Sequence, residues 1–375
     1  MGLSVERPEF VKWIKYMIES DSLENNIITF YIMTYKEFRS KVIDKVWYYI
    51  NAKVIKTPIY HFFFKSYWHY LFHSKQEFKP TDDMYYGARP NPGAGIGHQM
   101  ANWIAGYYWA TKRLNMKFVH FHFSTQKWDD FLGFGYGEPT VDELKKRGYK
   151  LRRLPQFWET NAKSIELIKG IMASYQGEKV MFWPPQDHLY REQYGVMEDI
   201  QQKFCNAPAR EKDTIQYSVD KFNIVIHVRR TVIIEGVAIN EPPEIRTLRW
   251  LSNDYYETVL KQVLDNINSA KPIAIWIFST GKPDEFAEFT KYGEVHFCSD
   301  MDEYQSFAHL VFADLLITSK SSFSYKPALM NRGIKVCPRN FWHGYPDAEN
   351  WILCENDGSL DIEKLKKVVN GIAYN

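Results

Sequence analysis

The sequence lacks an excess of charge of either sign, because 47 lysines and arginines are balanced by 45 aspartates and glutamates. A general nucleic-acid-binding protein would show a basic excess or a basic stripe, so this class is disfavoured. Cysteine is also sparse, and no two cysteines have the C-x-x-C spacing of a zinc or redox site. Four dispersed cysteines exclude a disulfide scaffold and indicate buried, reduced thiols. They are Cys205, Cys298, Cys337 and Cys354.

Long apolar segments are missing as well. No stretch of about 18 consecutive apolar residues occurs, which excludes an ordinary membrane-spanning helix. The N-terminal region carries acidic residues where a secretory leader would need an apolar run. These residues are Glu6, Glu9, Glu19, Asp21 and Glu24. We therefore expect a cytoplasmic protein.

Length and patterning predict an α/β protein with two Rossmann-like domains. The 375 residues exceed the usual length of one domain, about 100–200 residues. We expect an N-terminal Rossmann-like domain over 81–215 and a C-terminal one over 216–375. Residues 1–80 are crowded with aromatic side chains and predict a helical cap, with a helix at 27–47. A membrane-surface or acceptor-binding role is the open alternative for this segment.

Strands and helices alternate in the second half of the chain. Strands are predicted at 223–228, 273–278, 295–297 and 314–318, and helices at 253–267, 284–292, 302–313 and 324–331. Such alternation specifies a parallel sheet covered by helices on both faces. Ligands of these sheets lie beyond the carboxyl ends of the strands, where Arg229, Ser279 and Ser321 fall.

The motif His227-Val228-Arg229-Arg230 is the strongest chemical signal. Two arginines at the end of a buried strand are costly unless an anionic group meets them. Guanidinium groups match diphosphate oxygens in a bidentate way. In a strand His227 and Arg229 share one face and Arg230 points the other way. One arginine can therefore serve a ligand and the other an internal carboxylate; a structural ion pair for both is the alternative.

Two further segments can approach a phosphate. Thr318 to Tyr325 is a strand end, a hydroxyl-rich turn and a helix start, whose N–H groups can hold a diphosphate. An ordinary N-cap by Ser321 or Ser322 is the alternative. Gly87 to Gln99 is a glycine-rich loop that opens a helix, so it offers free N–H groups at one point. A helical pattern follows the loop, and then 118–123 alternates like a strand.

Metal-ligating patterns are weak. His120 and His122 lie two apart on one strand face, but no third ligand is visible nearby, so packed or surface histidines are expected. The acidic pairs Asp82-Asp83 and Asp129-Asp130 are typical of solvated loops. Asp300-Met301-Asp302 matches a D-x-D motif, yet Asp302 precedes a helix and predicts an N-cap. We expect no metal.

Three of these segments together resemble a known family. Gly95 to Met100, His227 to Arg230 and Ala313 to Ser324 occur in the order found in the fucosyltransferase superfamily, which contains α-1,2-, α-1,6- and protein-O-fucosyltransferases. The resemblance covers Gly87 to Arg339. It implies a GT-B-like fold, with the donor bound by the C-terminal domain, and inversion of the anomeric centre of GDP-fucose.

The resemblance also implies roles for individual residues. Arg229 resembles the arginine that binds the donor β-phosphate, with His227 and Arg230 shaping the pocket. The turn that contacts phosphates and ribose corresponds to Ser321, Ser322 and Phe323. The remaining donor-binding residues are expected to be Gly95, Gly97, His98, Gln99, Ser279 and Thr280. The sequence departs from the family pattern at three positions, namely His98, Val232 and Ser306, the last where some branches place a guanine-reading Asp.

The predicted function is an inverting glycosyltransferase that moves fucose from GDP-fucose to a hydroxyl of an oligosaccharide or glycoprotein glycan. No cofactor is expected besides the donor substrate. Glu235 is the predicted general base and Glu241 the second choice, although each can be an ordinary loop charge. Three alternatives remain open: another sugar nucleotide such as one carrying xylose, a GT-B sugar-nucleotide epimerase, and a non-catalytic binding module.

Overall fold

The computed structural model describes residues 35–73, 76–91, 93–185, 191–230, 232–234, 237–239 and 248–371. The chain forms two compact units, Met1–Phe63 and Phe64–Asn375. Within the described part, no helix combines the length and the apolar character needed to span a bilayer.

The described part of the first unit is helical. Helix α1 spans Tyr35–Tyr49, continues as a π-helical turn at Ile50–Val54 and is followed by a 3-10 turn at Tyr60–Phe63. Tyr60 is buried, and its hydroxyl donates to Asn51 Oδ1 at 3.0 Å. The described residues of the helix predicted at 27–47 are thus helical, while 27–34 lie outside the described residues.

The first half of the second unit contains a small parallel sheet. Its strands pair in the order β2-β1-β4-β3. They are Met84–Tyr86 (β1), Lys117–Phe118 (β2), Lys150–Arg153 (β3) and Val180–Trp183 (β4). Helices and helical turns connect and cover these strands. They are Lys65–Phe72 (α2), Ile96–Tyr108 (α3), Trp109–Arg113, Gln126–Leu132 (α4), Val141–Lys146 (α5), Ala162–Ala173 (α6), Gln193–Val196, Met197–Cys205 (α7) and Pro208–Lys212.

The strand predicted at 118–123 is shorter than expected. Regular pairing ends at Phe118, and only a single bridge joins His120 to Thr140 beyond it. The backbone of this segment has other partners: His120 N–H donates to the Pro139 carbonyl, and Phe123 N–H donates to the Asp129 carboxylate. These bonds bend the chain away from the sheet.

The second half contains a six-stranded parallel sheet, with the order β12-β11-β10-β5-β8-β9. Its strands are Phe222–Val228 (β5), Ile273–Ser279 (β8), Glu294–Phe297 (β9), Leu315–Ile317 (β10), Ile334–Pro338 (β11) and Trp351–Cys354 (β12). A separate antiparallel hairpin joins Val232–Ile234 (β6) to Val237–Ile239 (β7). The helical segments are Asn253–Asn266 (α8), Pro283–Tyr292, Glu303–Val311 (α9), Ser322–Met330 (α10) and Ile362–Gly371 (α11).

The predicted α/β class with two parallel sheets is confirmed, and so are the strands and helices predicted in the second half. The long apolar runs explain this agreement, because β5 and β8 are buried on both faces. The helical segment at 283–292 is a 3-10 helix rather than an α-helix; it begins at Pro283, which a helix accepts in its first turn.

The two sheets share one hydrophobic core within the second unit. A single cluster of buried side chains includes Trp103 and Phe118 from the first half and Phe307 and Leu316 from the second. Ring contacts join α4 to α9, with the Trp128 and Tyr304 ring centroids 4.2 Å apart. A second cluster covers the other face of the six-stranded sheet. The packing therefore joins the two halves of the second unit.

Candidate functional site

The six-stranded sheet reverses its strand order between β5 and β10. From β5 the chain adds β8 and β9 on one side, then returns to add β10, β11 and β12 on the other. A crevice opens at such a topological switch point, beyond the carboxyl ends of the two strands, and it is the usual ligand site of open α/β sheets. Arg229 follows β5, and Ser319 and Ser321 follow β10. The strand-end prediction for Arg229 and Ser321 thus falls on the switch point.

His227 ties the two strand ends together. Its Nδ1 shares a hydrogen bond of 2.7 Å with the Ser319 hydroxyl, and its ring packs 5.7 Å from the Phe323 ring. Burial, with the nearby Arg229 charge as a second cause, lowers the pKa of His227 to about 3. The imidazole is therefore neutral at physiological pH and serves as a polar link rather than as a cation.

Arg229 points at the start of α10. Its Nη1 donates to the Ser321 hydroxyl at 3.3 Å. The same hydroxyl accepts from Phe323 N–H at 3.2 Å, so Ser321 is the N-cap of α10. The N-cap alternative for this serine is therefore correct in geometry, and it coexists with a contact to the arginine. We call His227, Arg229, Ser319 and Ser321 the switch-point cluster.

Gly97 brings a second helix start to the same place. A Cβ at Gly97 would lie 2.6 Å from the Ser322 carbonyl carbon and 2.9 Å from the Phe323 nitrogen. No side chain fits there, so the glycine lets α3 and α10 begin in contact. The first N–H groups of a helix lack intrahelical partners and carry the positive end of its dipole. Two such ends beside Arg229 form a strong candidate site for an anion.

Gln99 holds the glycine-rich loop in place through its side-chain hydrogen bonds. Its side-chain amide donates to the Ala94 carbonyl at 2.7 Å and to the Ser124 hydroxyl at 3.0 Å, and its oxygen accepts from Ser124 N–H. These bonds hold the loop that carries Gly95. His98, the neighbour of Gln99, is half-buried in the first turn of α3.

Arg230 faces away from the switch-point cluster, as the strand alternation predicts. It donates to the Leu251 carbonyl at 3.1 Å, contacts the Asn253 side chain, and lies 4.3 Å over the Trp250 ring. These two hydrogen-bond partners are a carbonyl and an amide, where the sequence suggested a carboxylate. Arg230 anchors the start of α8 to the end of β5.

Ser279 is the last residue of β8, the strand next to β5, and Thr280 follows it. Val228 pairs with Ser279, so the end of β8 lies beside the end of β5, which Arg229 follows. The Ser279 hydroxyl accepts from Gly281 N–H at 3.0 Å and shapes the turn. A small crevice beside it is lined by Phe286, Phe297 and Cys298.

Glu235 and Glu241, the predicted general bases, lie outside the described residues. In sequence, Glu235 falls between β6 and β7.

Asp302 is the N-cap of α9, as predicted. Its carboxylate accepts from Tyr304 N–H at 3.0 Å and from Gln305 N–H at 2.8 Å. Lys127 forms a further ion pair with it at 3.7 Å. The carboxylate of the D-x-D motif therefore has a structural role in the start of this helix.

The prediction for His120 and His122 needs correction. A third potential ligand is present, because the Asp129 carboxylate lies 2.9 Å from His120 Nε2 and 2.9 Å from His122 Nδ1. Asp129 is only 7% exposed and is not a solvated loop charge. Sequence spacing missed it because the turn that begins α4 folds Asp129 back onto the histidines. We call these three residues the His–Asp cluster.

Hydrogen bonds within the protein already engage both nitrogens of His120 and the Asp129 carboxylate. Trp103 Nε1–H donates to His120 Nδ1 at 2.9 Å, and an indole can only donate. The proton of the neutral imidazole is therefore on Nε2, the atom that faces Asp129. Burial opposes ionisation of Asp129, but the hydrogen bonds from His120, Phe123 N–H and His122 hold its pKa below the usual value. A metal on His120 Nε2 would require an imidazolate ring, which is unfavourable.

His343 is a site residue that sequence reasoning missed. It is buried, stacks 4.4 Å from the Tyr325 ring, and has Nε2 3.3 Å from the Ser322 hydroxyl. It follows β11, so the strand-end rule applied one strand further would have indicated it. Its contact orients the first residue of α10.

No family model matches the sequence, and no characterised protein matches it in a sequence search. Searches of solved structures find NodZ α-1,6-fucosyltransferase co-crystallised with GDP, with a TM-score of 0.40, 9% identity, and coverage of 74% of this chain and 96% of that one. POFUT1 in complex with GDP gives a TM-score of 0.37 and 14% identity, covering 68% and 99%. The E. coli heptosyltransferase WaaC with ADP gives 0.32 and 13%, covering 77% and 97%. These scores are too low to assign a family, so the fold is established here by the two sheets themselves.

Proposed function

We propose that this chain is a glycosyltransferase that uses a nucleoside-diphosphate sugar, with GDP-fucose as donor and a glycan hydroxyl as acceptor. The observation that carries the proposal is the meeting of three anion-binding features at one strand crevice. Arg229, the start of α10 at Ser321 and the start of α3 at Gly97 lie together at the switch point. The choice of fucose as the sugar and guanine as the nucleobase rests on the resemblance of the sequence motifs to the fucosyltransferase superfamily.

The chemistry of the crevice suits a diphosphate. A guanidinium presents a planar pair of donors that matches two phosphate oxygens, and it keeps its charge at every working pH. The N–H groups of two helix starts add fixed donors, which need no rearrangement when charge develops. Because His227 is neutral, the positive charge of the switch-point cluster is concentrated on Arg229.

Transfer then follows from stabilising the leaving group. The acceptor hydroxyl oxygen forms a bond to the anomeric carbon as the bond from that carbon to the β-phosphate oxygen breaks. The electron pair of the broken bond goes to the diphosphate, where Arg229 and the helix N–H groups stabilise it. Attack from the face opposite the diphosphate inverts the anomeric centre, and the hydroxyl proton passes to a carboxylate, for which we choose Glu235 and next Glu241.

A metal is not needed for this scheme. In enzymes that use a D-x-D motif, a divalent ion lies between the carboxylates and the diphosphate. Here the Asp302 carboxylate is engaged by two backbone N–H groups of α9. Arg229 and the helix starts provide the positive charge that a metal would otherwise supply.

One observation favours a second candidate, the same fold with another sugar nucleotide. Ser306 occupies the position where some fucosyltransferase branches place a guanine-reading Asp. The nearby Asp302 is already committed to capping α9, so it is a poor substitute for that Asp. A transferase that uses a UDP-linked sugar, such as UDP-xylose, would not need a guanine-reading Asp.

A donor screen tests the proposal. The melting temperature of the protein is measured with GDP, UDP, ADP and their common sugars, and donor hydrolysis is then followed for those that bind. GDP and GDP-fucose are expected to give the largest shifts. A larger shift with UDP compounds would favour the second candidate, and no shift with any nucleotide would contradict both.

A further inference from the structure

A separate cavity lies at the far end of α3. It has a volume of about 450 Å³, within the usual range for small-ligand sites. Tyr107 is ten residues beyond Gly97 on α3, which places it about 15 Å along the axis from the switch-point cluster. The cavity is lined by Tyr107, Tyr136, Asp199, Gln202, Lys203 and Asn206. We call it the Tyr136 cavity.

The charges of the Tyr136 cavity are balanced within the protein. Lys203 Nζ lies 2.8 Å from Glu138 Oε1 and donates to the Tyr136 carbonyl at 3.0 Å. Asp199 pairs with Lys112 at 3.1 Å. Each charged lining residue therefore already has an opposite charge in contact. An ionic ligand would have to compete with these pairs, so the cavity favours a neutral one.

Two aromatic rings border the cavity. The Tyr136 side chain is 48% exposed, although its backbone is fixed by Lys203. Tyr107 is half-buried, and its ring stacks on Trp103 with centroids 4.9 Å apart. Burial, followed by the charges of Asp199 and Glu138, raises the pKa of Tyr107 to about 12, so its hydroxyl stays neutral. Trp103 and Lys203 already contact the Tyr107 ring, with Lys203 Nζ 5.6 Å from its centroid, so the exposed Tyr136 ring is the one that offers apolar surface to a ligand.

The amides of Gln202 and Asn206 complete the lining. The two residues are four apart, at the end of α7, and so lie on one side of the helix. Both are exposed, and neither side-chain amide makes a hydrogen bond with any described residue. Each amide offers one oxygen acceptor and two N–H donors. An apolar ligand would bury these groups without partners, at a cost in free energy.

We propose that the Tyr136 cavity binds one unit of a neutral saccharide. A pyranose has C–H faces that pack on aromatic rings and a rim of hydroxyls that both donate and accept hydrogen bonds. The exposed Tyr136 ring suits a face, and Gln202 and Asn206 suit the hydroxyls. The inference concerns binding alone and does not depend on the nucleotide chemistry of the switch-point cluster.

The test measures saccharide binding on the full chain. Saturation-transfer NMR and calorimetry are run with four probes: chitotetraose, xylotetraose, cellotetraose and the acidic tetragalacturonate. We expect at least one neutral probe to bind at millimolar concentration or below, and to bind equally well to Arg229→Ala. Tyr136→Ala should weaken that binding about tenfold, from the loss of one aromatic contact. Gln202→Ala with Asn206→Ala should weaken it further.

Trp158→Ala is the matched control, because Trp158 is 47% exposed and is not among the residues that line the cavity. Its saccharide affinity should equal that of the unmodified chain, and thermal melts should show all variants folded. The proposal is overturned if no neutral probe binds, if only tetragalacturonate binds, or if the cavity variants bind as well as Trp158→Ala. Loss of binding in Arg229→Ala would also overturn it, since the saccharide would then lie at the switch-point cluster.

Discussion

The switch-point cluster and the His–Asp cluster each bury a histidine, but different groups lie beside that histidine. In the His–Asp cluster a carboxylate accepts from both histidines, and Trp103 satisfies the remaining nitrogen of His120. In the switch-point cluster His227 bonds to the Ser319 hydroxyl, and Arg229 donates to the Ser321 hydroxyl at the start of α10. A buried network that ends on its own carboxylate is structural, whereas one that combines a cation with helix starts suits a bound anion.

The largest effect is expected at Arg229. Arg229→Ala should abolish transfer with the fold intact, because it costs about 3–4 kcal/mol of transition-state stabilisation, like the loss of one preorganised oxyanion donor. Arg229→Lys should recover little of this, since an ammonium cannot form the planar fork. The measurement is kcat/KM with the preferred donor. Arg332→Ala, an exposed arginine after α10, is the control and should keep full activity. Normal turnover in Arg229→Ala would remove it from the mechanism.

Glu235→Gln should lower kcat by roughly 10²–10⁴ while nucleotide affinity stays nearly constant, if this carboxylate takes the acceptor proton. Glu241→Gln is the parallel variant, and it should be close to normal. Should both variants turn over normally, the reaction runs without a protein base.

Gly97→Ala tests whether the close contact between α3 and α10 matters for the switch-point cluster. Its Cβ would overlap the Ser322 backbone, so α3 and α10 must separate, at a cost of about 1–3 kcal/mol in the free energy of unfolding. Nucleotide affinity should fall with it, because the two helix starts no longer meet. Gly95→Ala is the control for stability: nothing lies within 4 Å of its Cβ, and φ is −61°. Equal stability in the two variants would refute the role of the close contact.

Asp129→Asn tests the other cluster. An amide cannot accept from both histidines, so we expect a loss of about 1–2 kcal/mol in stability and no change in nucleotide affinity. Because the folded-state pKa of Asp129 lies below the unfolded one, its stabilisation is present above about pH 4 and is lost as pH falls through the folded value. Denaturant midpoints against pH should show this loss in the unmodified chain but not in the variant. Asp130→Asn, at the exposed neighbour, should behave like the unmodified chain.

Local pattern accounts for much of the second sheet and of the switch-point cluster. The apolar runs of β5 and β8 predict strands. Because ligands bind beyond the carboxyl ends of parallel strands, the sequence also places Arg229 and Ser321 in one site. The strands β1 and β4 escaped notice because three or four residues carry too little periodicity. The burial of Asp129 depends on a turn that returns the chain to His120, which spacing along the sequence does not specify.

The contact of Gly97 with Ser322 could not be predicted from the sequence either, since it joins helices from the two halves of the second unit. A glycine before a helix has many ordinary uses, and only the partner reveals why no side chain is tolerated. The sequence predicts Gln99 as a donor contact, and the structure adds a bond from its amide to the Ala94 carbonyl that spacing along the chain does not reveal.

Calorimetric titration of GDP and UDP into metal-stripped protein in EDTA is the most direct test of the switch-point cluster. The account predicts that one nucleotide binds with the same Kd in EDTA as with added Mg²⁺ or Mn²⁺, and that Arg229→Ala loses this binding while Asp129→Asn keeps it. Binding that requires a metal, or that survives in Arg229→Ala and disappears in Asp129→Asn, would contradict it and move the site to the His–Asp cluster.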